Sequence, residues 1–194
     1  PPRAYGPIAT RLGEAGLADQ SNGFVRLVIE KPFGTDLASS RELEATLHKY
    51  FAEEQIYRID HYLAKETVRN ILVLRFANSI FEPLWNRRYV DSIRILATEQ
   101  LGVEHRAEFY DTAGVLRDMF QNHMMQLLAL CAMEPPSLIQ ADRVRDEKAK
   151  VFRSLRPLDL SRFERNLILG QYSSGSVNGK KLPAYLDEPG VAHD

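Results

Sequence analysis

Four groups of residues in this chain have the types and spacing to handle a small anionic substrate. The densest is Arg58-Ile59-Asp60-His61-Tyr62-Leu63-Ala64-Lys65-Glu66. If a helix starts near Tyr62, His61, Lys65 and Arg69 recur every four residues and line one cationic face, while Val68, Ile71 and Leu72 form an apolar stripe. Free N–H groups at a helix start, beside imidazole and ammonium donors, suit a phosphate dianion. A solvated basic edge is the plain alternative reading of the same spacing. A second group centres on His123, inside the apolar periodicity Leu116, Met119, Phe120, His123, Met124, Leu127, Leu128 and Cys131. Such an imidazole is either a core histidine bonded to backbone or a proton acceptor in a site. Asp118 lies five residues away, so on an α-helix the two approach a ligand from different angles. Glu99 ends an otherwise apolar strand row, and Lys31 follows an apolar strand; each is a site residue or a solvated end.

The elements that must position these residues follow from the pattern. Ile8 to Leu17 reads as a short helix after Pro7. Phe24 to Ile29 has the near-continuous apolar content of a strand covered on both faces, and Pro32 and Gly34 turn the chain just after Lys31. Pro32 is free to be cis or trans as far as sequence goes. Ser39-Ser40-Arg41-Glu42 has capping-box spacing for a helix to about Glu54 with Leu43, Leu47, Tyr50 and Phe51 inward. Ile56 to Ile59 reads as another strand, which would bring Asp60 and His61 near Lys31. Val90 to Glu99 and Asn166 to Tyr172 are further expected strands, Leu116 to Cys131 a deeply buried helix ended by Pro135-Pro136, and Asp142 to Leu155 a charged amphipathic helix. Ser173 to Ser176 and Asn178-Gly179 mark turns.

At 194 residues with 44% hydrophobic content the chain can bury a core, and a net charge of -1 gives no bulk attraction to nucleic acid or an anionic membrane. No apolar run is long enough to cross a bilayer and the first residues lack a secretion signal, so a cytoplasmic protein is expected. The single cysteine, Cys131, excludes an internal disulfide. No His-x-x-x-His or similar spacing suggests a metal, so a metal-dependent phosphohydrolase is a weak alternative.

Three segments together resemble the glucose-6-phosphate dehydrogenase family. Arg-Ile-Asp-His-Tyr-Leu-x-Lys-Glu resembles its substrate signature, with Ala64 where the family has Gly. Glu30-Lys31-Pro32-Phe33-Gly34 is similar to the segment whose lysine lies between sugar phosphate and nicotinamide. Arg117-Asp118-Met119-x-Gln121-Asn122-His123 resembles the helix carrying the general base. The resemblance implies an α/β plus α+β fold: residues 1–60 as the C-terminal end of a Rossmann-like dinucleotide-binding domain, and 61–194 as the first part of an α+β substrate and dimerisation domain with a mainly antiparallel sheet. It implies oxidation of glucose 6-phosphate at C1 to the 6-phosphogluconolactone with NADP or NAD as cofactor. His123 is then the base and Asp60 orients it. His61, Tyr62 and Lys65 grip the phosphate, Glu99 and Asp118 take sugar hydroxyls, and Lys31 touches substrate and cofactor. No Gly-rich dinucleotide fingerprint precedes the first strand. The chain is therefore expected to be an internal piece of a longer homo-oligomeric enzyme, inactive by itself, with a non-catalytic sugar-phosphate-binding module as the other reading.

Overall fold

The computed structural model describes residues 4–192. Its contacts divide the chain into two units, Pro1–Ala64 and Lys65–Asp194. In the first, helix α1 (Tyr5–Glu14) precedes strand β1 (Leu27–Glu30), helix α2 (Leu37–Tyr50) and strand β2 (Ile56–Ile59). β1 and β2 pair in parallel, Leu27 opposite Ile56 and Glu30 opposite Ile59, so the crossover through α2 makes a strand–helix–strand unit. The two-residue period puts Leu27, Ile29 and Ile56 on one face, and Ala9, Leu47 and Phe51 close the core there. The other face is not covered as expected: Val28, Tyr57 and Ile59 are exposed. Gln55 is buried but satisfied, taking the Ala52 N–H at 2.9 Å and donating to the Ala18 carbonyl at 2.9 Å.

Helix α2 starts earlier than the Ser39-to-Glu42 spacing suggests. Asp36 is the cap, its carboxylate accepting Ser39 N–H at 2.8 Å while the Ser39 hydroxyl oxygen accepts Asp36 N–H at 3.0 Å. Serine is thus the third helical residue of the box rather than its cap. Gly34 (φ +99°) lets the preceding turn press on this helix start, because a Cβ there would lie 2.7 Å from the Ser40 nitrogen.

The second unit is mainly helical. Helix α3 (Glu66–Phe76) is followed by helix α4 (Ala107–Val115), a π-helical segment (Leu116–Met124) and helix α5 (Met125–Ala132), then helix α6 (Ala141–Ser154) and short helix α7 (Phe163–Asn166). α5 packs on both α3 and α6, with Lys148 donating to Gln126 at 2.9 Å. Strands β3 (Gly175–Val177) and β4 (Lys180–Leu182) form an antiparallel hairpin around Asn178 and Gly179, both at positive φ, as an Asn-Gly turn requires. Tyr185 and Val191 pack on Ala107, and Tyr185 donates to Asp111 at 3.1 Å.

Two expected strands are corrected. Residues 90–99 and 166–172 pair with no strand among the described residues, and the sheet of this unit is the β3–β4 hairpin. Alternation supplies a face, but a strand exists only when a neighbour takes its backbone N–H and C=O groups. No helix among the described residues is long and apolar enough to cross a membrane.

Candidate functional site

In the first unit the parallel register settles where two of the expected site residues emerge. Glu30 and Ile59 face each other at the carboxyl ends of β1 and β2, so Lys31 and Asp60 are the next residues at one edge, where open α/β sheets bind ligands. The Lys31–Pro32 peptide bond is cis. Asp60 builds the turn that follows: its carboxylate accepts Tyr62 N–H and its carbonyl accepts Leu63 N–H, both at 3.0 Å. This winds His61–Ala64 into a 3-10 turn. Tyr62 goes inside and His61 stays exposed, with the two rings meeting edge to face at 5.2 Å.

The helix therefore does not begin near Tyr62. Lys65 is its cap, in extended conformation (ψ 131°), and its carbonyl accepts Val68 and Arg69 N–H at 3.1 Å each. The 3-10 turn and the extended cap break the four-residue repeat, so His61 is not on one helical face with Lys65 and Arg69. Lys65 is exposed at a helix start, and Val68, Ile71 and Leu72 turn inward as expected.

In the second unit Glu99 is exposed, on segment 90–99. Asp118 and His123 are buried, at 6% and 1% exposure. The expected α-helix around them is corrected: Gly114 (φ 68°, ψ 168°) kinks the chain, and Leu116–Met124 winds as a π-helix. In an α-helix residues five apart point roughly 140° from each other. Bonding to the fifth residue widens the turn and reduces that angle to roughly 50°. Asp118 and His123 therefore share one buried side, and Leu116 and Phe120, expected inside, are exposed. Side chains support the widened turn: the Asn122 amide donates to the Arg117 carbonyl at 2.9 Å, and its oxygen accepts His123 N–H at 2.7 Å.

Several polar residues of this structure had escaped the sequence reading. Arg106 donates to the buried Asp118 carboxylate at 2.7 Å from an exposed position. Burial raises the pKa of Tyr110 and the Asp118 charge adds to it, with Arg106 opposing. Arg75 is buried at 4% exposure and bonds to carbonyls of α5. Its signal was present, since it continues the Val68, Ile71, Leu72 stripe seven residues after Val68. Glu44, His48 and Glu53 bring possible metal ligands within 4.8 Å of one another on the surface. Arg58 bonds both carboxylates, reaching Glu53 at 2.9 Å, so a cation would have to displace a guanidinium. Burial alone would lower the Arg58 pKa, but the bonds from Glu53 and Glu44 outweigh it and raise it.

The comparisons with known proteins agree with each other. The family model described as the glucose-6-phosphate dehydrogenase NAD binding domain matches residues 1–70, and that for the C-terminal domain of the same enzyme matches residues 72–194. The glucose-6-phosphate 1-dehydrogenase of Aggregatibacter actinomycetemcomitans is 54% identical over 191 residues, 98% of this chain and 39% of that protein. That of Bacillus subtilis (strain 168) is 50% identical over 193 residues, again 39% of the relative. The chain thus spans about two fifths of the length of these relatives. A solved glucose-6-phosphate dehydrogenase in complex with its substrate glucose-6-phosphate is similar over 99% of this chain and 38% of its own, with a TM-score of 0.85 and 38% identity. The enzyme from Mycobacterium avium gives 0.80 and 41%, over all of this chain and 38% of its own.

Proposed function

Because the chain belongs to the glucose-6-phosphate dehydrogenase family, we propose that it supplies substrate-handling and proton-accepting residues to an enzyme of full family length that oxidises glucose 6-phosphate at C1 to the lactone. The observation that carries this reading is the buried imidazole of His123 on the same side of a π segment as the buried Asp118. Apolar surroundings exclude water from a base, and an adjacent carboxylate suits a polyhydroxylated ligand.

In this reading neutral His123 takes the C1 hydroxyl proton as the hydride leaves. Asp60 has the orienting role toward the base, Glu99 and Asp118 accept from sugar hydroxyls, and His61, Tyr62 and Lys65 hold the phosphate. Binding energy at that remote phosphate goes into orienting C1. Lys31, at the ligand edge of a parallel strand pair, fits the nicotinamide end of NADP or NAD. The bound nicotinamide would supply the hydride acceptor. The pyrophosphate-cradling glycine loop of a Rossmann unit is not among these residues, so the 194 residues alone are expected to form little or no reduced nicotinamide.

Residues 1–60 would be the end of the dinucleotide-binding domain and 61–194 the first part of the α+β substrate domain. Segment 90–99 would become a strand when the mainly antiparallel sheet of the homo-oligomeric enzyme supplies its neighbours. The test is His123→Asn in an enzyme of full family length. Turnover should fall by about 10²–10⁴-fold with KM for glucose 6-phosphate little changed. Near-normal turnover in that variant removes His123 from the chemistry.

A further inference from the structure

The C-terminal end of α5 is held in an unusual way. The last carbonyls of a helix have no amide partner within it, and many helices satisfy them with a left-handed residue, usually glycine, where the chain folds its N–H groups back. Here Met133 is extended (φ −65°, ψ 153°), and Pro135 and Pro136 follow, neither of which has an N–H to offer. Side chains take over. Arg75 of α3 donates to the carbonyls of Leu130 and Met133, each at 2.7 Å, and the Trp85 indole N–H donates to the Cys131 carbonyl at 2.7 Å. The guanidinium carbon lies 4.6 Å from the Phe76 ring centre and 5.3 Å from that of Trp85, within cation–π range of both rings.

Among the described residues Arg75, at 4% exposure, makes no ion pair with a carboxylate, which is a costly way to end a helix. Burial lowers its pKa, consistent with that cost, although it remains a cation at neutral pH. A cap that only stopped the helix needs no buried charge. What this clamp adds is rotational fixity. α5 continues directly into the π segment, so a rod anchored at Leu130, Cys131 and Met133 cannot turn about its axis at that end. Toward the other end Gly114 breaks the helical backbone, and Arg106 holds a side chain there, that of Asp118 at 2.7 Å, rather than carbonyls.

We infer that Arg75 and Trp85 are positioning residues for His123 and Asp118: by gripping the carbonyls of α5 they set the winding and rotation of the rod that carries both. The same grip ties that rod to α3, whose cap is Lys65. The inference rests on the reading of His123 as proton acceptor. Arg75 and Trp85 spend their donors on carbonyls of α5, so each acts through the helix. If the rod relaxes toward α-helical winding, Asp118 and His123 swing from roughly 50° toward roughly 140° apart, and misplacement of about 1 Å can cost on the order of 10²-fold in rate.

The experiment compares Arg75→Lys, Trp85→Phe and His123→Asn in an enzyme of full family length, with activity expressed per folded molecule from circular dichroism at the assay temperature. Arg75→Lys keeps the charge and loses the fork, and should lower kcat at least about tenfold with KM for glucose 6-phosphate within about threefold. Trp85→Phe keeps a ring, loses one donor, and should lower kcat about threefold. A purely structural cap would instead reduce the folded fraction and leave kcat per folded molecule unchanged, and that result overturns the inference even if Arg75→Lys proves unstable, because Trp85→Phe reads it independently. Loss of activity in His123→Asn beside normal kcat in both clamp variants rejects the clamp alone. Full turnover in His123→Asn rejects the reading beneath it.

Discussion

The strand edge of the first unit and the kinked rod of the second hold polar side chains in opposite ways. At the edge, Lys31 and Asp60 leave paired parallel strands, and short side chains satisfy the backbone locally: Asp36 with Ser39, Asp60 with Tyr62. His61 stays exposed, so little desolvation is involved. The rod buries an imidazole and a carboxylate, holds a π turn, and has a buried arginine on its carbonyls at one end and a glycine at positive φ at the other. Exposed polar side chains can be positioned by ordinary turn chemistry. In the rod, a buried imidazole goes with a distorted backbone, and such distortions persist only where neighbouring structure over-determines them.

Changing one glycine is the strongest way to break this contrast in stability. Gly114 holds φ 68° and ψ 168°, a region open almost only to glycine, yet a Cβ there meets nothing within 4 Å. Gly114→Ala therefore tests backbone strain with no steric clash mixed in. It should destabilise the second unit by about 1–3 kcal/mol, read by urea unfolding through Trp85, the single tryptophan. A change under about 0.5 kcal/mol would mean that the kink is not held in the folded state, since unstrained surface substitutions fall in that range.

The corresponding change at the edge should be milder. Asp36→Ala removes the carboxylate that accepts Ser39 N–H, while the Ser39 hydroxyl can still accept the backbone N–H groups of Thr35 and residue 36. Loss of such a cap costs about 1 kcal/mol. Amide exchange in the first turn of α2 should quicken by about fivefold, while exchange in α5 is unchanged. Equal effects on both helices would remove the distinction between local and anchored stability.

The two regions were also unequally legible. Regular α and β periods disclosed β1, β2, the inward face of α2 and the Asn178-Gly179 hairpin turn, because side-chain alternation and turn stereochemistry are local properties. The convergence of Lys31 and Asp60 followed from the strands alone. The entry to α3 was misread because Asp60 bonds forward into the turn, and a carboxylate can serve a ligand or its own backbone with the same letter in the sequence. The rod is illegible for a deeper reason: a π turn leaves no pattern at 3.6 residues per turn, and that period puts Leu116 and Phe120 inside and Asp118 away from His123. Arg75 was visible as a cation on an apolar stripe, and its carbonyl partners, more than fifty positions onward, were not.

The smallest expected effect separates the units by pH. Burial raises the pKa of Cys131, Tyr110, Tyr172 and Tyr185, all in Lys65–Asp194; the Arg75 charge opposes the shift at Cys131. In the first unit the Ser21 bonds lower that of Asp19. A weak acid whose folded pKa lies above its unfolded one adds stability that is complete below the unfolded value, near 8.5 for a thiol and about 10 for a phenol, and is lost as pH climbs through the folded one. Asp19 has the opposite sign, contributing above the unfolded carboxylate value of about 3.9 and losing it as pH falls. The Trp85-reported melting midpoint should therefore decline by a few degrees from about pH 8.5 upward. Because the leading cause is desolvation rather than long-range charge, added salt should not restore it. Cys131→Ala should remove the part of the decline nearest pH 9 and leave the phenolic part. A decline unchanged by that substitution would assign the whole alkaline limb to the tyrosines around Tyr185.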